Sequence, residues 1–300
     1  MDRILFRGIM PALVTPLNDD STVRTQAVEP LIRWMISQGV DGFYVLGGTG
    51  EGAVLAEKER MRMAEASAQA IRETGKTLIL HVGAADMQSA KRLARHAAEV
   101  GADAISSVYP NFFCRYDTNE AIDYYSALID ASGLPMLGYC QALMQGTDVV
   151  AFVDKLIKVQ GVIGVKYTFP NYYQLQCIKR LNGGNINVIN GPDESLLCGL
   201  AMGADGGIGT TYNVMAPWFV RLYERFCAND VKGAQEMQYR INRVIDVLLG
   251  TNLIPAVRVA LEEMGFDVGF SAAPARRFDA AGRKDLIEAL RAAGLFDIAP

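Results

Sequence analysis

The sequence predicts a (β/α)8 barrel with a C-terminal helical extension. Eight short apolar runs alternate with amphipathic stretches, and from about Ala216 onward the pattern is helical only. The runs are 8–15, 42–48, 77–83, 102–108, 134–140, 162–168, 186–192 and 205–211. Unbroken apolar runs of this length fit strands buried on both faces. Alternation with helices implies parallel strands joined by right-handed crossovers, and eight such units close a barrel. The helical segments include "AVEPLIRWMISQG", "EKERMRMAEASAQAIRETG", "MQSAKRLARHAAEVG" and "TDVVAFVDKLIKVQG". A doubly wound open sheet is the alternative, but no G-x-G-x-x-G opens a helix after the first run. Residues 1–228 are expected to form the barrel and 229–300 the extension packed on it. With few Gly or Pro clusters and no linker, the two make one structural unit.

Composition narrows the function classes. Half of the 300 residues are hydrophobic, enough for a large core, and the net charge is −4. That charge and the lack of basic runs argue against a nucleic-acid partner. No apolar stretch approaches the roughly 18 residues of a membrane span. The start, "MDRILFRGIMPALVTPL", is broken by Arg3 and Arg7 and does not read as a signal peptide, so a cytoplasmic location is expected. The five cysteines form no C-x-x-C pair and are expected as buried, reduced thiols. His81 and His96 are the only imidazoles, which argues against a zinc site. His96 fits a helix face; His81, ending a strand, fits either the core or a pocket.

In such a barrel, chemistry sits at the C-terminal ends of the strands. Those ends supply Gly48, Thr49 and Gly50 in "GGTGEG", His81, Tyr139, Lys166 and Thr168 in "KYT", Gly191, Asp193 and Glu194 in "NGPDE", and Thr210. Lys166 closes the apolar run "GVIGV". Burial disfavours an ammonium and would bring its pKa from about 10.4 towards roughly 7–8, where a neutral amine attacks carbonyl carbon. A lysine snorkelling outward or paired with a carboxylate fits the pattern equally. The Gly-rich turn offers backbone N–H groups to a carboxylate or phosphate, though such turns are common. Glu51 reads as a helix N-terminal carboxylate that braces the loop. Tyr139 taken alone reads as a core tyrosine, and Asp193 with Glu194 as a helix start. Together at neighbouring strand ends, these groups read as a polyol or sugar site.

Taken along nearly its whole length, the chain resembles the dihydrodipicolinate synthase and N-acetylneuraminate lyase family of pyruvate-dependent class I aldolases. The resemblance rests on "GIMPALVTPLNDD", the G-T-G-E turn, Tyr139 ending the fifth run, and G-V-K-x-T on the sixth, with Tyr139 and Lys166 27 residues apart. The segment "KYT…NGPDESLLCGLAMGADGGIGTTYNVM" is most similar to the N-acetylneuraminate lyase branch. The resemblance implies a Schiff base on Lys166, proton transfer by Tyr139, and a substrate carboxylate held at Gly48, Thr49 and Gly50. It further implies sugar hydroxyls bound by Asp193 and Glu194 with Thr168, Gly191 and Thr210. The implied substrate is a 2-keto acid or sugar acid, with no metal and no cofactor beyond the covalent lysine adduct. The implied assembly is a homotetramer built as a dimer of dimers. "YCQALMQG" lacks the arginine expected of a dihydrodipicolinate synthase.

Three positions depart from the family pattern. Gly48 stands where a Ser or Thr is usual, Phe113 stands where a second tyrosine is usual, and "YCQAL" replaces Y-N-x-P-x-L. The first two remove hydroxyls of a proton relay, whose loss costs about 10²–10⁴-fold in proton transfer. Tyr109, Tyr116, His81 or an ordered water are the available substitutes. Three functions therefore stand open: cleavage or synthesis of N-acetylneuraminate, lysis of another 2-keto-3-deoxy sugar acid, and a non-catalytic binding or regulatory role.

Overall fold

The computed structural model describes residues 5–110, 114–141, 144 and 146–297. Eight parallel strands alternate with helices. The strands are β1 (Gly8–Pro11), β2 (Gly42–Val45), β3 (Thr77–His81), β4 (Ala104–Val108), β5 (Met136–Cys140), β6 (Val162–Tyr167), β7 (Asn187–Asn190) and β8 (Gly206–Gly209). The helices are α1 (Val28–Ser37), α2 (Glu57–Ile71), α3 (Met87–Glu99), α4 (Thr118–Ser132), α5 (Val149–Leu156), α6 (Tyr172–Lys179), α7 (Leu196–Ala201) and α8 (Tyr212–Cys227). Three more follow the barrel: α9 (Val231–Leu249), α10 (Leu253–Glu263) and α11 (Ala280–Ala292). The ladder runs β1-β8-β7-β6-β5-β4-β3-β2. A parallel bridge between Ala12 and Tyr44 closes the ring, with the Leu13 N–H donating to the Tyr44 carbonyl at 2.9 Å. The runner-up open sheet is excluded by that closure.

Aspartates begin many of the helices. Asp86, Asp117, Asp148, Asp230 and Asp279 each accept a backbone N–H in the first turn of α3, α4, α5, α9 and α11. Such caps satisfy N–H groups that the helix itself leaves without acceptors. No single described helix is long and apolar enough to cross a membrane.

Two apolar layers follow from strand alternation. Phe43, Val45, Leu78, Leu80, Ile105, Val165 and Tyr167 face the helices. Met10, Tyr44, Ile79, Ala104, Leu137, Ile163, Ile189 and Ile208 fill the barrel. Each fully buried aliphatic side chain contributes about 1.5–3 kcal/mol. Carrying the inward phase to the strand ends places His81, Ser106, Val108 and Tyr139 over the barrel core.

β6 reaches that phase by a slip. Met136 pairs with Val162 but Leu137 pairs with Gly164, so one extra residue stands in β6. Without the slip, inward Ile163 would send Lys166 outward to the helices. With it, Lys166 pairs with Tyr139 and shares its face. Gly164 is required at this point, because a Cβ there would collide with the backbone of Asn187 on β7.

The cysteines depart from expectation. All five are free, but Cys114, Cys198 and Cys227 are exposed and only Cys140 is buried. Cys198 and Cys227 sit on helices whose apolar faces are filled by other residues.

Candidate active site

Lys166 and Tyr139 are neighbours across the β5–β6 ladder. Lys166 is 5% exposed. Its Nζ stands 4.3 Å from the Tyr139 ring centroid and 4.9 Å from that of Tyr44. No described carboxylate lies within ion-pair distance of it, so the outward or paired lysine is excluded among the described residues. The two rings supply cation–π attraction and meet edge to face, with centroids 6.2 Å apart. Tyr44 is held from below by Ser106, hydroxyl to hydroxyl at 3.0 Å, and burial pushes its phenol well above the usual value. The Tyr139 hydroxyl bonds to no described residue. Tyr139 lines a cavity of about 560 Å³ with Gly47, Gly48, His81, Gln141 and the segment 272–275.

The turn after β2 is drawn tight by the Glu51 N–H to the Gly48 carbonyl at 3.0 Å and the Gly52 N–H to the Gly47 carbonyl at 3.2 Å. The N–H groups of Gly48, Thr49 and Gly50 donate to no described residue. Such a run of unused donors is an anion-binding concavity. Gly50 allows the close approach, since a Cβ there would sit 2.9–3.0 Å from the Leu46 and Leu13 backbones. Gly48 is exposed, and a Cβ on it would meet nothing within 4 Å. The Thr49 hydroxyl lies 2.7 Å from that of Thr210, which follows β8, the next strand but one around the ring.

Left-handed backbone at Leu46 (φ 66°) and Glu51 (φ 55°) brackets the turn, at a cost of order 1–3 kcal/mol each. The structure holds it from the C-terminal extension. Arg258 of α10 donates to Glu51 Oε2 at 2.5 Å and to the Thr15 carbonyl at 2.7 Å. The Ala272 N–H donates to Glu51 Oε1 at 2.8 Å. Glu51 thus braces the loop as expected, through an ion pair and not as a helix-terminal carboxylate.

His81 is buried, and burial, then Arg60 and Lys166, push its pKa down to about 3. It is a neutral imidazole whose Nε2 accepts the Val108 N–H at 3.1 Å, which leaves the ring proton on Nδ1. Arg60 of α2 donates to the His81 and Gly83 carbonyls at 2.8 and 2.9 Å. The Tyr109 hydroxyl is committed to the carbonyls of Tyr116 and Asp117, away from the cavity. Phe113 lies outside the described residues.

The expected polyol groups gather on the opposite side. Thr168 packs against Gly191, where any Cβ would strike its Oγ1, and that hydroxyl is buried without a described partner. Asp193 and Glu194 form a 3-10 turn, Asp193–Ser195, that leads into α7. Asp193 is buried and Oδ2 accepts the Thr211 N–H and hydroxyl at 2.7 and 2.8 Å. Burial raises its pKa to about 6 against the pull of Thr211 and Lys166. Oδ1 carries no bond from a described residue. Glu194 is exposed. Among the described residues no cluster of three His, Cys, Asp or Glu could hold a metal ion.

Sequence reading missed Tyr44, Arg60 and Arg258. Tyr44 carries a signal, the inward phase between Phe43 and Val45; the two arginines carry none.

The sequence profile of the dihydrodipicolinate synthetase family matches residues 5–293. The chain is 37% identical to the N-acetylneuraminate lyase of Citrobacter koseri over 86% of both chains, and 36% identical to that of Rhizobium meliloti over 94% of both. Its fold is similar to the solved Proteus mirabilis N-acetylneuraminate lyase, with a TM-score of 0.91 at 30% identity, covering 97% of this chain and 99% of that one.

Proposed function

The chain belongs to the dihydrodipicolinate synthetase family, and from that premise we propose that it is a class I aldolase cleaving N-acetylneuraminate to N-acetylmannosamine and pyruvate, or joining them. The observation that carries the reading is the register pairing of Lys166 with Tyr139 beside a turn of unused N–H donors. The amine of Lys166 attacks the keto carbon and water leaves as the imine forms. The substrate carboxylate lies on the N–H groups of Gly48, Thr49 and Gly50. Tyr139 takes the C4 hydroxyl proton as the C3–C4 bond breaks, and the iminium accepts the electron pair. The resulting enamine is protonated at carbon, and hydrolysis frees pyruvate and Lys166. The lysine is itself the electron sink, so the reaction needs no organic cofactor or metal. Thr168, Gly191, Asp193, Glu194 and Thr210 take the sugar hydroxyls. A cytoplasmic homotetramer belongs to the same reading, and light scattering that gives a stable monomer counts against it.

The test is borohydride reduction after incubation with pyruvate or N-acetylneuraminate, followed by intact mass and peptide mapping. A pyruvyl-sized adduct on Lys166 from both compounds is expected. A whole-sugar adduct from N-acetylneuraminate means capture without cleavage, and no adduct from either removes the assignment.

A further inference from the structure

The local bonds of the Asp193–Glu194 turn run to Asp193: Thr211 donates to its carboxylate and the Leu196 N–H to its carbonyl. The turn is three residues long, its Ser195 N–H reaches the Pro192 carbonyl only at 3.4 Å, and Ser195 gives α7 no side-chain cap. The Glu194 carboxylate touches no described partner, so its aim depends on the main chain beneath it. That main chain is gripped from outside the barrel by α9. Gln238 and Asn242 stand one turn apart, on one face of that helix. Gln238 is buried, and its Nε2 donates to the Asp193 carbonyl at 3.1 Å and to Asn242 Oδ1 at 2.9 Å. Its Oε1 accepts the Leu197 N–H at 3.1 Å, an N-terminal donor of α7 that lacks a local acceptor. Asn242 Nδ2 donates to the Glu194 carbonyl at 2.9 Å. One pair of amides therefore fixes both carbonyls of the acidic dipeptide and the start of the helix that follows it.

We infer that Gln238 and Asn242 are positioning residues for the polyol end of the substrate, an inference that rests on the sialic acid reading. Neither lines the cavity at Tyr139. They act by holding the main chain from which the Glu194 carboxylate projects, the Asp193 carboxylate being held separately by Thr211, and hydrogen bonds to hydroxyls tolerate only a few tenths of an ångström. Losing the strap loosens sugar binding and leaves the imine chemistry in place. The difference separates them from residues that merely support the fold.

The experiment compares Gln238→Met, Asn242→Leu and Asn242→Asp with the parent. Asn242→Asp keeps the acceptor for Gln238 but replaces the donation to the Glu194 carbonyl with a repelling carboxylate oxygen, whereas Asn242→Leu loses the bond without adding charge. Three quantities are read: KM and kcat for N-acetylneuraminate, and the pyruvate concentration that half-saturates borohydride inactivation. Gln238→Met is expected to raise KM about tenfold, and each Asn242 variant about threefold, with kcat and the pyruvate value within about twofold of the parent. Equal shifts in KM and in the pyruvate value, or an unchanged KM in all variants, overturn the positioning role. If Gln238→Met fails to fold, the Asn242 variants decide, since their bond lies at the surface. A parent that traps pyruvate on Lys166 but never cleaves N-acetylneuraminate overturns the functional reading and the strap's role with it. A parent that cleaves, with variants that bind the sugar normally, overturns the strap alone.

Discussion

Replacing Gly164 by alanine tests the register slip that turns Lys166 inward. A Cβ at this position would overlap the Asn187 carbonyl oxygen and come within 2.6–2.7 Å of its carbonyl carbon and nitrogen. These are backbone atoms of the next strand, and no rotamer change relieves the contact. β6 is also paired to β5 on its other side, so it cannot retreat without disturbing Leu137. Overpacking of this kind costs about 1–3 kcal/mol. Parting the β6–β7 ladder forfeits one or two hydrogen bonds at about 0.5–1.5 kcal/mol each. Gly164→Ala is therefore expected to lose about 1.5–6 kcal/mol in urea unfolding. Borohydride trapping of pyruvate should weaken with it, because Lys166 is two residues downstream. Gly48→Ala is the control: its Cβ meets open space, so stability should stay within about 0.5 kcal/mol. A Gly164→Ala protein as stable as Gly48→Ala, and trapping pyruvate at the parent's rate, would refute the argument.

Two pH dependences follow from buried groups. His81 stays neutral in the folded chain to about pH 3, while the unfolded chain takes up its proton near pH 6.5. Its contribution is thus intact above pH 6.5 and lost as pH falls from there towards 3. His81→Gln, which can still accept the Val108 N–H, should reduce the stability lost between pH 7 and 4.5 by about 2 kcal/mol; urea midpoints as acid-sensitive as the parent's would clear His81. Asp193, raised to about 6, should lose its charge as pH falls from 7 to 5. KM for N-acetylneuraminate should then rise up to about tenfold over that interval. For folding the sign is opposite: ionising this carboxylate costs stability as pH rises from 3.8 through about 6. Asp193→Asn should flatten both effects, and an unaltered KM profile in that variant would assign the acid limb elsewhere.

Much of the fold was legible because local rules sufficed. Apolar runs marked the strands, and the inward phase of Ile79 or Leu137 carries directly to His81 and Tyr139. Lys166 was harder. Strand alternation from Ile163 would turn it outward, and only the pairing of Gly164 with both neighbours resolves the slip. Glu51 was legible as a brace, but its partners Arg258 and Ala272 come from the far end of the chain, where no spacing rule reaches. The cysteines misled because residue-type averages ignore which helix face a position occupies. Asp193 and Glu194 were recognised as a pair, whereas the amides of α9 that hold them have no local signature.

The Glu51 brace also orders events in time. Arg258 follows Glu51 by 207 residues and Ala272 by 221. At a synthesis rate of about 5–20 residues per second, that interval lasts roughly 10–45 s. Throughout it, the turn proposed to cradle the carboxylate lacks the ion pair that offsets its left-handed backbone. A ribosome-bound chain carries Lys166 well before the residues that brace this turn have been made. The brace is thus completed only with the last seventh of the polypeptide, Arg258 first and Ala272 after it.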